Sequence, residues 1–164
     1  MCQINSLESK VYELLKNIAR KRNENFSGIG IVAYETGVFP KDCHCDLRPE
    51  FKLNNVWIDD DNASDLLLEY CDYSNTLHDG FCLVNEKGEL THVAQYFVPQ
   101  IVRGLIPNQK HGVRTYSAAC GSKMKGVYFI GMVSCNNEIY LYKNGHEFIH
   151  NGEYVNYKEE KNEI

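Results

Sequence analysis

Leu7, Val11, Leu14, Leu15 and Ile18 recur at separations of three and four, while Lys10, Lys16 and the run Arg20-Lys21-Arg22 lie off that stripe. The spacing predicts an amphipathic helix capped by Ser6 and ending near Asn23. The period then changes. Gly28-Ile29-Gly30-Ile31-Val32-Ala33-Tyr34 is short and β-branched, bounded by Ser27 and Gly37, and reads as a buried strand. Residues 36–61 hold Pro40, Pro49, Cys43-His44-Cys45 and Asp59-Asp60-Asp61 without a period, so irregular structure is expected. Asn62 is expected to cap a short helix over 65–70, with Asp65 favourably placed against its dipole.

Residues 81–85 and 90–98 flank Glu86-Lys87-Gly88-Glu89, a hairpin pattern that Pro99 ends. Residues 100–111 read as a loop, and 113–124, rich in small side chains, as a helix. A second hairpin spans 127–134 and 138–143 around Asn136-Asn137, and Asn144-Gly145 and Asn151-Gly152 mark further turns. This order of elements predicts an α/β (α+β) fold in which a mixed central β-sheet is flanked by helices. It is expected to form one domain over 1–157, followed by a charged tail at 158–164.

The chain has 164 residues, 43% of them hydrophobic, enough for one domain with a core. A net charge of −5 argues against a broad basic face for duplex DNA. No apolar run approaches the roughly 18 residues of a membrane span, and Met1-Cys2-Gln3-Ile4-Asn5 lacks a signal peptide's basic start. Seven irregularly spaced cysteines fit reduced thiols. The expected setting is cytoplasmic, with no membrane partner.

Several motifs are discarded on spacing. Cys43-His44-Cys45 has no second ligand pair at zinc spacing. Gly28-Ile29-Gly30 opens a strand instead of following one, and the third glycine of a dinucleotide loop is missing. No nucleophile elbow or phosphate loop occurs, and no cysteine has a neighbour that marks it as an activated nucleophile. Leu77-His78-Asp79-Gly80-Phe81 is more telling. A carboxylate beside glycine at a strand mouth can hold a divalent cation or act as a base, although an Asp-Gly turn would look the same. Gly112-Val113-Arg114-Thr115 likewise reads either as a phosphate-binding helix start or as a packed small-residue helix.

Taken in order, Leu77-His78-Asp79-Gly80, the hairpin ending in Ala94-Gln95-Tyr96-Phe97-Val98-Pro99, Gly112-Val113-Arg114 with its small residues, and the closing hairpin to Lys143-Asn144-Gly145 resemble the diadenylate cyclase domain. The resemblance runs from about residue 11 to about 149. It implies that two ATP molecules are condensed into cyclic di-AMP with Mg²⁺ or Mn²⁺, each held by one subunit of at least a transient dimer.

Carried over by position, the resemblance makes Asp79 and Arg114 the catalytic pair and His78 with Asp79 the metal ligands. Gly80 would give the nucleotide space, Phe81 would reshape the pocket, and Tyr96 and Phe97 would stack on a base. Val113, Thr115, Tyr116, Ser117, Ser122 and Ser134 would line the remainder. The family's Gly-Thr-Arg-His-Arg is altered, since Val113, Thr115 and Tyr116 stand for its Thr, His and second Arg. Expected carboxylates are replaced at Lys123, Cys135 and Asn136, with Lys123 expected to offset part of the lost positive charge. A divergent cyclase, a nucleotide or cyclic-dinucleotide sensor without turnover, and an interaction scaffold are the readings left open.

Overall fold

The structure, a computed structural model, describes residues 6–105 and 112–155. Helix α1 (Ser6–Lys21) buries Leu7, Val11, Leu14, Leu15 and Ile18, the stripe expected from their spacing. Strand β1 (Ile29–Tyr34) is parallel to β4 (Phe81–Asn85) and antiparallel to β6 (Val127–Val133). The parallel pair requires a crossover, and α2 (Ala63–Tyr70) lies within it, packed beside α1. The remaining main strands are β5 (Glu89–Phe97) and β7 (Ile139–Lys143). Helix α3 (Val113–Gly121) packs on β6 and β7.

Alternation along the strands divides the core between two faces. Ile29, Ile31 and Ala33 of β1 join Phe129 and Val133 of β6 beneath α1. Val32, Ile130 and Met132 face the other way and pack with Ala118 of α3. The result is a mixed central sheet flanked by helices, as the order of elements predicts.

The segment read as irregular contains a 3-10 turn (Lys41–Cys43) and two short strands, β2 (His44–Asp46) and β3 (Val56–Trp57). Both pair with β5, and strands of three and two residues are too short to show a period. After Lys143 the chain adds β8 (His146–His150) and β9 (Glu153–Tyr154), turning at the two Asn-Gly pairs. The nine-stranded sheet runs β2-β5-β4-β1-β6-β7-β8-β9, with β3 also on β5. Asn62 precedes α2, yet its side chain makes no capping hydrogen bond; its carbonyl accepts from the N–H of Leu66 instead. The expected loop is described only to Leu105, and the tail at 158–164 lies outside the described residues.

Strand β5 carries a bulge. Ala94 has a φ of 49°, and the pairing with β4 shifts between Phe81↔Gln95 and Leu83↔His92. Next to it, the buried Gln95 amide donates to Asp46 Oδ1 (2.6 Å) and to the Val93 carbonyl (3.0 Å), and accepts from His44 Nδ1 (2.8 Å). These bonds fasten β2 to β5.

The His92 ring sits 5.2 Å from that of His44. Burial, reinforced by His44, lowers the His92 pKa from the ordinary 6.5. As pH falls through 6.5 the unfolded chain therefore takes up this proton first, so the associated stability, intact above 6.5, declines below it. A Tm that falls between pH 7 and pH 5, and falls less in His92→Gln, is the expected melting result. An equal fall in the variant would assign the effect elsewhere. Asp59, Asp72 and Glu86, whose pKa values are all lowered, lose their contribution only in a more acidic range.

Candidate functional site

Because β1 and β4 are parallel, both begin at one edge of the sheet. The antiparallel neighbours β5 and β6 end there. Three connections consequently meet at this edge, 22–28 into β1, 71–80 into β4 and the turn after β6, together with the residues that follow β5.

Ser27 ties two of them together. Its N–H donates to the Cys71 carbonyl (2.9 Å). Its hydroxyl lies 2.8 Å from that carbonyl and 3.2 Å from the His78 carbonyl. Its own carbonyl accepts a long bond, 3.4 Å, from Arg114 Nη1. The loop bearing Asp79 and the guanidinium of Arg114 are thus anchored to one residue. Gly28 makes room for this, since a Cβ there would sit 2.8 Å from Arg114 Nη1. Ser27 did not stand out as chemistry in the sequence, and Gly28 drew notice only in a dinucleotide-loop pattern that its place before the strand discards. Their only signal was a glycine before the strand at a position that has φ +92°.

His78 Nδ1 lies 2.8 Å from the Asn75 carbonyl, which can only accept, so this nitrogen carries the proton. In the neutral ring Nε2 is then a lone pair, and it faces Asp79 Oδ1 at 3.3 Å. Two acceptors at that separation call for a shared proton or a cation. An imidazole whose other nitrogen donates to a backbone carbonyl is also the usual arrangement of a metal-ligating histidine. The 3.3 Å spacing is close to that of neighbouring ligands on a six-coordinate ion with bonds of roughly 2.1 Å. The pair fits Mg²⁺ or Mn²⁺ only in part: among the described residues no group of three His, Cys, Asp or Glu could hold a metal. Water or ligand oxygens would have to complete the shell.

Several expected site residues occupy other places. Phe81 and Phe97 are each 6% exposed, and their rings meet at 5.2 Å in the core beneath α3. They are walls of that core, with no open face for a base to stack on. Tyr96, the alternate residue, is 57% exposed. Gly80 does not open space for a ligand either, because its missing Cβ would lie 2.3 Å from the Gln95 carbonyl oxygen. The close approach it permits is that of β5.

On α3, Val113 is exposed, and Thr115 is buried with its hydroxyl donating to the Gly112 carbonyl (3.0 Å). Tyr116 contacts Cys120, whose thiol pushes the phenol pKa up. Ser117 is half-buried on the same helix. Ser122 lies at the opposite edge: its hydroxyl donates to the Ala119 carbonyl and accepts from the N–H of Gly145, both at 2.8 Å. Lys123 packs on Gly145 as well, so it cannot replace the missing positive charge near Arg114. Ser134 is at the site edge, in the turn after β6, where its hydroxyl accepts from the N–H of Glu138 (3.1 Å).

Tyr73 was not anticipated. It is 59% exposed and its ring lies 5.7 Å from that of His78, the nearest open aromatic surface to the acidic loop among the described ring contacts. Among the described residues the cysteines form no metal-binding group. Cys43 donates to the Pro40 carbonyl (2.9 Å), while Cys45 is exposed. Burial pushes the Cys43 thiol up to about 11 and that of Cys71 to about 12, and raises Cys82 further, which opposes thiolate chemistry at all three.

No protein-family model matches the sequence, nor does any curated protein. Solved structures do match in shape. A hypothetical membrane spanning protein from Bacillus cereus superposes with a TM-score of 0.63 at 18% identity. The match covers 87% of this chain but only 62% of that protein, so this chain spans less than two thirds of its length. A double mutant of DacA from Staphylococcus aureus superposes with a TM-score of 0.56 at 20% identity, covering 86% of this chain and 83% of DacA. Among the described residues no helix is long and apolar enough to cross a membrane. The chain shares the fold of DacA, a mixed sheet flanked by helices.

Proposed function

We propose that this chain is a divergent diadenylate-cyclase-like nucleotidyltransferase that binds ATP, or a related nucleotide, with Mg²⁺ or Mn²⁺ at the edge where β1 and β4 begin. The observation that carries this reading is the anchoring of the His78–Asp79 loop and Arg114 to the same Ser27. A metal-binding acid and a phosphate-binding guanidinium are the two charges that adenylyl transfer needs on opposite sides of a polyphosphate. His78 and Asp79 would hold the metal, which supplies charge neutralisation for the phosphates when bound. Arg114 holds phosphate oxygens, and exposed Tyr73 or Tyr96 offers a ring for the base.

One copy of the chain carries one half of the reaction. In a dimer of two loaded copies, each ribose 3′-oxygen attacks the α-phosphorus of the opposite nucleotide. The new O3′–P bond forms as the bond to the β-phosphate oxygen breaks, pyrophosphate leaves, and the hydroxyl proton passes to a nearby base such as the Asp79 carboxylate. Two such transfers close the cyclic dinucleotide.

A specific observation favours a second reading, a sensor that binds nucleotides or cyclic dinucleotides without turnover. Arg114 stands without the family's second arginine, Thr115 and Tyr116 are engaged within α3, and Lys123 is at the far edge. Loss of one oxyanion donor costs roughly 10²–10³ in rate. Incubation of the pure protein with ATP and Mn²⁺ or Mg²⁺, followed by chromatography, separates the readings. Cyclic dinucleotide with released pyrophosphate supports the transferase. Calorimetric binding without consumption supports the sensor, and no binding of any nucleotide removes both.

A further inference from the structure

Arg22, just past the end of α1, donates through Nη1 to the carbonyl of Cys135 in the turn after β6 (3.1 Å). Arg114 reaches the Ser27 carbonyl from α3, on the other face of the sheet. The backbone between them is continuous contact: a Cβ on Gly28 would lie 2.8 Å from Arg114 Nη1 and 3.5 Å from the Cys135 nitrogen. Two guanidiniums therefore hold one patch of backbone from its two sides.

Neither arginine is ion-paired to an Asp or Glu among the described residues. Each spends a donor on a carbonyl, and a guanidinium has five. The donors left over on each are available to an anion that reaches this end of the strands. Asp79, at the same edge, pairs with His78 and with neither arginine, so the negative and positive groups of the site are kept apart.

We infer that Arg22 is a second phosphate-binding residue, forming with Arg114 a two-pronged clamp for the polyphosphate of a nucleoside triphosphate. The inference rests on the proposed nucleotide site and names the part of the ligand that this side of it reads. It also supplies, from a different element of the fold, a cation that Tyr116 cannot provide.

Calorimetric titration of ATP into the native chain, Arg22→Gln and Arg22→Lys, each at low and high salt, tests the clamp. Gln keeps a donor for the Cys135 carbonyl but removes the charge. ATP affinity is expected to fall about tenfold in Arg22→Gln, with a shallower dependence on salt, and to recover in large part in Arg22→Lys. AMP affinity should change less. A role confined to docking the turn would leave the salt dependence unchanged and the two nucleotides equally affected, which overturns the inference. ATP binding that Arg22→Gln leaves intact while Arg114→Ala weakens it overturns the clamp alone. A native chain that binds neither ATP nor any other nucleoside triphosphate overturns the proposed transferase, and the clamp with it.

Discussion

Gly80→Ala is expected to destabilise the protein by about 2–5 kcal/mol. Gly80 has a φ of +85°, a conformation that costs an L-residue about 1–2 kcal/mol. The added Cβ would also lie 2.3 Å from the Gln95 carbonyl oxygen and 3.0 Å from its nitrogen. Backbone can yield to such an overlap only if β5 moves away from β4. Movement of β5 is resisted by the Gln95 side chain, which is bonded to Asp46 and His44 of β2 and to the Val93 carbonyl. Overpacking of this kind adds about 1–3 kcal/mol. For a chain of this length each kcal/mol shifts Tm by roughly 2–4 °C, so a drop of about 10 °C is expected in thermal melting. A Tm within about 2 °C of the native value, below the shift of even 1 kcal/mol, would mean that β4 and β5 do not approach as described, and Gly80 would again be free to serve a ligand.

Arg114→Ala and Asp79→Asn are expected to do the reverse, leaving stability little changed and removing ligand affinity. Asp79 is exposed, and its partner within reach is His78. Arg114 gives up only a 3.4 Å bond to Ser27. A surface change such as Asp79→Asn falls within about 0.5 kcal/mol, and losing the single bond of half-buried Arg114 costs about 0.5–1.5 kcal/mol. Loss of a charge-assisted hydrogen bond to phosphate is worth about 1.5–3 kcal/mol, or roughly 10- to 100-fold in affinity for ATP. For Asp79→Asn the expected loss is chiefly in the metal dependence: Mn²⁺ should no longer strengthen ATP binding, whereas metal-free binding persists. Calorimetry with and without Mn²⁺ reads both effects. Equal affinity in the two variants and the native chain would leave the edge of β1 and β4 as an ordinary junction of turns.

The parts of the fold that the sequence makes legible are those with a period. The α1 stripe, the alternating strands and the Asn-Gly turns all depend on near neighbours in the chain. Strands β2 and β3 escape because they are too short to alternate and are defined by pairing with β5. Of the candidate site, Asp79, His78 and Arg114 were legible as candidates, being residue types able to carry such chemistry. Its supports were not: Ser27, Gly28, Tyr73 and Arg22 acquire meaning only through contacts between distant segments. Phe81 and Phe97 were placed in the pocket by the resemblance, which matches positions along the chain without saying which face of the sheet α3 covers here. Ser122 and Lys123 follow the nine residues of α3, which at about 1.5 Å per residue carry them roughly 13 Å from Arg114's end of the helix.

The most direct test of the shared cradle is a crystal structure of the protein grown with Mn²⁺ and a non-hydrolysable ATP analogue, with anomalous data collected for manganese. The account predicts a manganese peak on the carboxylate of Asp79, phosphate oxygens on Arg114, and the polyphosphate running between them. An analogue seated elsewhere on the molecule, or the Asp79 and Arg114 side chains left in contact with protein alone at saturating analogue, would contradict it.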